Sequence, residues 1–170
     1  MYILIFVLCT LGLCIRTLYE MLKSQGKVKP GNNVLFWAVF AGMFLMLASW
    51  VVLGRFDPVR LALPATVRWI GLAAVLLGAA LAAGGLLQLR GLENIDHLVT
   101  GGLFRKIRHP MYTGFILWIV GWVVFYGAVA SCGLAAICII NILMWRKLEE
   151  WYLGMKYGEE FSAYRQTTWF

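Results

Sequence analysis

The segment from Met111 to Trp145 contains 35 consecutive residues without a formal charge. As a single α-helix it would be about 50 Å long, whereas the hydrocarbon core of a bilayer is about 30 Å thick. Gly127, Ser131 and Gly133 lie near the middle of the segment, and small residues of this kind mark turns. We therefore predict two short, tilted membrane helices joined by a tight turn around 127–133, so that both ends of the segment return to one membrane face.

Apolar runs also dominate the rest of the 170-residue chain. Hydrophobic residues make up 62% of the sequence and charged residues 14%, whereas a soluble domain carries about 25% charged residues. Three more runs are long enough to span: Tyr2 to about Leu22, Asn33 to about Leu53, and Pro64 to about Leu89. We predict an all-α, polytopic membrane protein of one domain over residues 1–170, with about five transmembrane helices, the last two forming a helical hairpin.

The C-terminal residues mix aromatic and charged side chains. We predict that the chain leaves the membrane at Arg146 and continues as an interfacial helix, because such helices combine these residue types. Its apolar side chains are Trp151, Tyr152, Leu153, Tyr157, Phe161 and Tyr164. At the other end, the first span lacks a basic leader and a small-residue cleavage site, so we expect it to be retained rather than removed as a signal peptide.

The positions of the basic residues predict the orientation. With five spans, the first loop, the third loop and the C-terminal tail share one side, and the opposite loops hold only Arg55, Arg60 and Arg68. The shared side holds Lys23, Lys27, Lys29, Arg90, Arg105, Lys106, Arg108, Arg146, Lys147, Lys156 and Arg165. The positive-inside rule then places the C-terminus in the cytoplasm and the N-terminus outside. Lipid headgroups explain the net charge of +7 without a nucleic-acid partner.

Several features have ordinary structural explanations. For Arg16, near one end of the first span, we favour snorkelling to the interface over a functional charge. The small residues of the third span favour close helix packing over space for a ligand. Asn32 or Asn33 suits the cap of the second helix. The four cysteines lie in apolar runs without a paired motif or a histidine cluster, so we infer neither a disulfide framework nor a metal site.

Two polar clusters flank the predicted hairpin. The first reads Arg108-His109-Pro110-x-Tyr112-x-Gly114, and a proline at the first helical position places His109 just outside the helix. Arg108 and His109 are suited to binding a carboxylate and equally to anchoring the helix to headgroups. In the second cluster, Arg146 and Glu150 are four residues apart and share a helix face. Acid beside base in one cavity would suit a zwitterionic cofactor.

In order and spacing, these motifs resemble the isoprenylcysteine carboxyl methyltransferases and the related phospholipid N-methyltransferases. The resemblance covers 96–164, about 40% of the chain. The pattern reads Leu98-Val99-Thr100-x-Gly102-x-Phe104, then the Arg108 to Gly114 motif, then Arg146-x-x-Glu149-Glu150-x-x-Leu153-x-x-x-Tyr157-Gly158-x-x-Phe161-x-x-Tyr164. It implies an S-adenosylmethionine-dependent methyltransferase, with a cytosol-facing cofactor pocket within about residues 90–170.

The resemblance also implies roles for individual residues. Arg146 corresponds to the arginine that binds the acceptor, Glu150 closes the cofactor pocket, and these two with His109 form the expected catalytic group. The implied cofactor contacts are Asp96, His97, Leu98, Val99, Phe104, His109, Pro110, Met111, Tyr112 and Glu150.

Methyl transfer requires a donor and an acceptor that are held close and aligned, and neither a metal nor a covalent nucleophile is needed. The expected acceptor is a lipid or a lipidated small molecule, with the carboxylate of an isoprenylcysteine-like compound preferred. A carboxylate needs only a cation such as Arg146, whereas a phospholipid amine, the alternative, must lose a proton to His109 or Glu149. A sterol-reductase-like enzyme that uses NADPH and a non-catalytic membrane protein are further alternatives.

Overall fold

The computed structural model describes residues 1–25, 27, 33–89 and 97–170, and these residues form five α-helices and a short 3₁₀ turn. The helices are α1 (Tyr2–Ser24), α2 (Asn33–Arg55), α3 (Ala65–Leu89), α4 (Pro110–Tyr126) and α5 (Ser131–Thr167), and the 3₁₀ turn is Gly102–Arg105. The predicted all-α class is confirmed. Lys29, Asn32, Arg90 and Asp96, on which some of the sequence predictions rest, lie outside the described residues, and the side chain of Asn33 is also undescribed.

The described helices are those of an integral membrane protein. Four of them, α1, α2, α3 and α5, are long and apolar enough to cross a bilayer. The fifth, α4, has 17 residues and a length of about 25 Å, slightly less than a typical hydrocarbon core. The prediction of about five spans is therefore confirmed as four to five, and the bounds of the first three helices lie within about two residues of those predicted.

A short turn joins α4 to α5, as the sequence predicted. Gly127, directly after α4, has a φ of 63°, a left-handed conformation that glycine adopts without a steric penalty. Asp57, in the loop between α2 and α3, accepts hydrogen bonds from the backbone N of Ser131 at 2.7 Å and from its Oγ at 2.6 Å. Asp57 also accepts one from the backbone N of Ala130 at 3.2 Å. The first backbone N–H groups of an α-helix have no carbonyl partner within the helix. The carboxylate of Asp57 thereby accepts the hydrogen bonds of such groups at the start of α5.

Glycines bring α3 and α4 into backbone contact. A Cβ atom on Gly78 would lie 2.6 Å from the carbonyl oxygen of Gly114, and one on Gly121 would lie 2.7 Å from that of Gly71. Real side chains do not tolerate such distances, so the two helices approach closely only because these positions lack side chains. The predicted packing role of the small residues in the third span is confirmed at these positions.

The remaining helices pack around a common core of side chains from α1, α2, α4 and α5. Its buried members are Ile5, Cys9, Leu13, Met46, Trp50, Leu53, Tyr112, Ile119, Leu134, Ala135, Cys138, Ile142 and Trp145. The indole of Trp50 donates to the carbonyl of Ile119 at 3.1 Å, and that of Trp145 donates to the hydroxyl of Thr17 at 3.3 Å. This packing sets α5 beside α1.

The C-terminal tail is helical, as predicted, and it continues directly from the last helix of the hairpin. α5 runs through Arg146 to Thr167, with a kink at Gly158, where φ is 53° and ψ is −120°. Beyond the kink, Phe161 and Tyr164 are buried, and the Tyr164 hydroxyl donates to the carbonyl of Phe104 at 2.6 Å. The predicted interfacial helix is thus the distal part of α5, in which Tyr164 packs on the loop before α4 while Trp151 remains 54% exposed.

Candidate active site

The hairpin brings the two polar clusters into direct contact. His109 lies at the N-cap of α4, immediately before Pro110, and Glu150 lies on α5. The Nε2 atom of His109 is 3.2 Å from Oε1 of Glu150, and its Nδ1 atom is 3.8 Å from Oε2 of Glu149. The histidine side chain is 4% exposed. A buried imidazole therefore lies between two adjacent carboxylates at the end of the hairpin.

Glu150 joins α5 to the start of α4 and, through Arg108, to the tail. Nε of Arg108 donates to Oε1 of Glu150 at 2.8 Å, while Nη1 of Arg108 donates to the hydroxyl of Thr168 at 3.0 Å. The pKa of Glu150 is lowered to about 2, and the hydrogen bond with His109 is the largest cause. Burial acts in the opposite direction and raises this pKa, whereas Arg108 lowers it further. Glu150 is consequently ionised at neutral pH.

The C-terminal residues close this junction. The backbone N of Arg108 donates to the carbonyl of Trp169 at 2.9 Å, and that of His109 donates to the carbonyl of Phe170 at 3.1 Å. The Phe170 ring in turn covers Arg146, with its centroid 4.5 Å from the guanidinium carbon. The Nε atom of Arg146 is buried without a hydrogen-bond partner among the described residues.

A cavity of about 100 Å³ lies between the loop before α4 and α5. Eight of the residues that the resemblance assigned to the cofactor line it: His97, Leu98, Val99, Phe104, His109, Pro110, Met111 and Tyr112. The aromatic side chains of Tyr157 and Tyr164 complete the wall on the α5 side. Of the other two assigned positions, Asp96 lies outside the described residues, and Glu150 is not in the lining. We refer to this space as the loop cavity.

A second, larger cavity of about 270 Å³ lies among the membrane helices, and we call it the membrane cavity. Phe40 and Phe44 of α2 and Leu86 of α3 contribute to its apolar wall. Its polar lining residues are Arg16, Glu20, Lys23, Tyr112, Glu149 and Tyr152. Leu89, Met111, Tyr112 and Glu149 line both cavities, so the two spaces are separated by a shared wall of a few side chains.

The structure distinguishes the two adjacent glutamates. Glu149 faces both cavities, whereas Glu150 faces Arg108 and His109 and is not among the residues lining either cavity in the described part of the chain. Arg146 is likewise absent from both linings. Neighbouring residues on a helix point about 100° apart, and the sequence did not reveal which of them faces the cavities.

Sequence reasoning also missed an ion pair in the first span. Arg16 does not reach out to the interface as expected but forms an ion pair with Glu20. Their side chains are only 17% and 7% exposed, respectively, and both line the membrane cavity. The available signal was the spacing, because residues four apart on a helix are neighbours and opposite charges there form pairs.

The sequence of the chain is similar to those of known methyltransferases. The family described as phospholipid methyltransferase matches residues 66–160, more than half of the chain. A probable protein-S-isoprenylcysteine O-methyltransferase of Oryza sativa subsp. indica is 31% identical over 80 residues, covering 44% of this chain and 39% of that protein.

The protein-S-isoprenylcysteine O-methyltransferase of Schizosaccharomyces pombe is 35% identical over 76 residues, covering 44% of this chain and 32% of that protein. In Arabidopsis thaliana, protein-S-isoprenylcysteine O-methyltransferase A is 30% identical over 81 residues, covering 44% of this chain and 39% of that protein. The matched segment thus spans about two fifths or less of these curated relatives. No solved structure matches the chain.

Proposed function

Because the chain belongs to the phospholipid methyltransferase family, we propose that it transfers a methyl group from S-adenosylmethionine to an acceptor that enters from the bilayer. One observation carries this proposal: a cavity beside the polar loop and a cavity among the membrane helices share the wall formed by Met111, Tyr112 and Glu149. Donor and acceptor with very different polarities can therefore bind next to each other. Such placement of two reactants contributes about 7–11 kcal/mol to a bimolecular displacement.

The loop cavity has a lining that suits S-adenosylmethionine. Leu98, Val99 and Phe104 offer apolar surface for a nucleobase, and the carboxylate of Glu149 attracts positive charge. S-adenosylmethionine supplies a methyl group on a positively charged sulfur. The chain holds this donor, and the buried ring of His109, which stacks on Tyr112 with centroids 5.5 Å apart, helps to keep water from the shared wall.

The membrane cavity suits an acceptor with an apolar tail, because α2 and α3 give it aliphatic and aromatic walls. The plant and yeast relatives carry names that specify protein-S-isoprenylcysteine. The preferred acceptor is therefore the carboxylate of an isoprenylcysteine-like compound, which is ionised at neutral pH and needs only to be held. The resemblance gives this role to Arg146, whose Nε has no hydrogen-bond partner among the described residues, although Arg146 lines neither cavity there.

A phospholipid amine is the second candidate acceptor, and the position of Glu149 favours it. Its side chain is 41% exposed and lies at the wall between the cavities, beside the imidazole of His109. A carboxylate there attracts an ammonium group, and either Glu149 or His109 is placed to accept the proton that an amine must lose before methylation.

The proposed orientation places the loop cavity in the cytoplasm. The loop before α4 and the distal part of α5 carry the cationic residues Arg105, Lys106, Lys147, Lys156 and Arg165. Cytoplasmic loops of membrane proteins are enriched in such residues. A reporter that is active only in the cytoplasm should give signal when it is fused to the C-terminus. A silent fusion, together with signal from a C-terminal reporter that is active only outside the cytoplasm, would contradict this orientation.

The reaction can be tested with the full chain in nanodiscs, radiolabelled S-adenosylmethionine and two acceptors, a farnesylcysteine analogue and phosphatidylethanolamine. The labelled product is then treated with base. Release of the label identifies a methyl ester, and retention of the label identifies a methylated amine. A Val99→Trp variant, which fills the loop cavity, should lose donor binding in calorimetry, and Lys106→Gln on the exposed surface of the same loop should retain it. Absence of saturable donor binding by the unmodified protein would refute the proposal.

A further inference from the structure

We propose that Arg16, on α1 and outside the segment matched by the family, binds an oxyanion of the acceptor in the membrane cavity. The ligand class is a carboxylate or phosphodiester attached to an apolar tail. The inference rests on the proposed function, since it names how that acceptor is recognised. It assigns the anion-binding role to Arg16 rather than to Arg146.

The guanidinium of Arg16 is held in place by side chains of α1, α4 and α5, among them the hydroxyl of Tyr112. Its central carbon lies 5.6 Å from the ring centroid of Tyr19 and 5.6 Å from that of Trp145. Glu20 forms an ion pair with it from the next turn of α1. Trp145 is itself fixed by its hydrogen bond to Thr17. A cation that is fixed in this way loses little further freedom when it binds a ligand.

The free-energy cost of burying the ion pair of Arg16 and Glu20 among membrane helices indicates a role beyond packing. Ionisable residues inside membrane helices are expensive and mark functional sites by default. A buried ion pair generally contributes little net stability compared with apolar residues of similar size. The pair formed by Arg16 and Glu20 lies on a cavity wall rather than in close-packed core, and a guanidinium has five donors that are suited to binding a second oxyanion.

Position favours Arg16 over Arg146 for this role. Arg16 lines the membrane cavity together with Tyr112 and Glu149, the residues that also line the loop cavity. Arg146 stacks against the ring of Phe170 and is absent from both described linings. An anion on Arg16 would therefore lie at the polar end of the membrane cavity, close to the wall that separates it from the donor.

Direct binding separates this role from a structural one. The full chain in nanodiscs is titrated with N-acetyl-farnesylcysteine and with its methyl ester, which lacks the anion, and separately with lysophosphatidylglycerol, an anionic phosphodiester, and the corresponding monoacylglycerol. The unmodified protein should bind the anionic member of one pair at least about tenfold more tightly, a difference of about 1.4 kcal/mol. The pair that shows this preference identifies the source of the oxyanion.

Four variants and one control complete the test. Arg16→Gln should remove the preference for the anion and leave the affinity for S-adenosylmethionine unchanged, while Arg16→Lys should restore part of it. Glu20→Gln should keep the preference. The double variant Arg16→Gln/Glu20→Gln removes both charges, so that no unpaired charge is left buried. This variant should still show no preference for the anion. Arg105→Gln, on the exposed part of the loop, is the matched control.

Two outcomes would overturn the inference. Recovery of anion selectivity in the double variant would mean that Arg16 serves only to neutralise Glu20, and an unmodified protein that binds acid and neutral analogues equally would have no oxyanion site. These binding measurements do not require turnover. Failure of the proposed methyl transfer is detected separately, as absence of donor binding by the unmodified protein.

Discussion

Replacing Glu150 with Gln tests the junction that holds the hairpin and the tail together. The ordinary pKa of a glutamate is about 4.3 and that of Glu150 is about 2, a difference that corresponds to about 3 kcal/mol of native-state stabilisation. The side chain is only 12% exposed, so solvent screening removes little of this value. Because the native-state pKa is depressed, the contribution is present above about pH 4.3 and is lost as the pH falls towards 2.

The measurement is the free energy of unfolding in detergent micelles, taken at pH 7 and at several lower pH values. Glu150→Gln should lower it by about 3 kcal/mol at pH 7, because Arg108 and His109 are left without their carboxylate. The variant should also lose less stability than the unmodified protein between pH 4.5 and 3. Glu160→Gln, at an exposed position on α5, is the control. Equal stability and an equal acid response in protein and variant would refute the argument.

Three further predictions concern the scaffold. Gly114→Leu should abolish the stable pairing of α3 and α4, seen as loss of monodisperse protein in detergent, whereas Gly133→Leu should be tolerated because a Cβ added there would meet no neighbouring atom within 4 Å. Asp57→Asn should lower the free energy of unfolding by about 1–2 kcal/mol at pH 7. Burial raises the pKa of Asp57, but hydrogen bonds from Ser131, Val59 and Ala130 outweigh it and lower the pKa, so the difference should shrink in acid. Tyr164→Phe should cost about 1 kcal/mol and weaken donor binding in calorimetry, because the hydroxyl holds the Phe104 carbonyl beside the loop cavity.

The helices and the hairpin were predictable because their signals are local. A run without charge must be helical in lipid, since backbone groups have no other partners there, and its length relative to the bilayer dictates the turn near Gly127. The same reasoning predicted that the two polar clusters lie at one end of the hairpin, but not that His109 and Glu150 form a direct hydrogen bond.

The tail and the cavity linings were not predictable because they depend on tertiary packing. The pattern of aromatic residues beyond Arg146 is consistent with a helix that lies on the membrane surface and with a helix that packs against the rest of the protein. The hydrogen bond from Tyr164 to the loop before α4, which distinguishes these arrangements, is a tertiary contact. Whether Glu149 or Glu150 faces the cavities depends on the rotation of α5, which its contacts with α1 and α4 establish. Arg16 was treated in isolation, although its partner Glu20 was visible one helical turn away.

The glycine contacts between α3 and α4 have a mechanical consequence. Two backbones that already touch have no room to approach further, and Asp57 and Glu150 tie α5 to its neighbours at opposite ends of the span. The same holds for α1 and α2, because a Cβ on Gly12 would lie 2.5 Å from the carbonyl oxygen of Gly42. The bundle therefore contains two tightly packed pairs, and we expect a tail that is bulkier than the membrane cavity to enter by separation of α2 from α3, which both line it. A covalent link between α2 and α3 should accordingly exclude long-tailed acceptors while leaving the binding of the methyl donor intact.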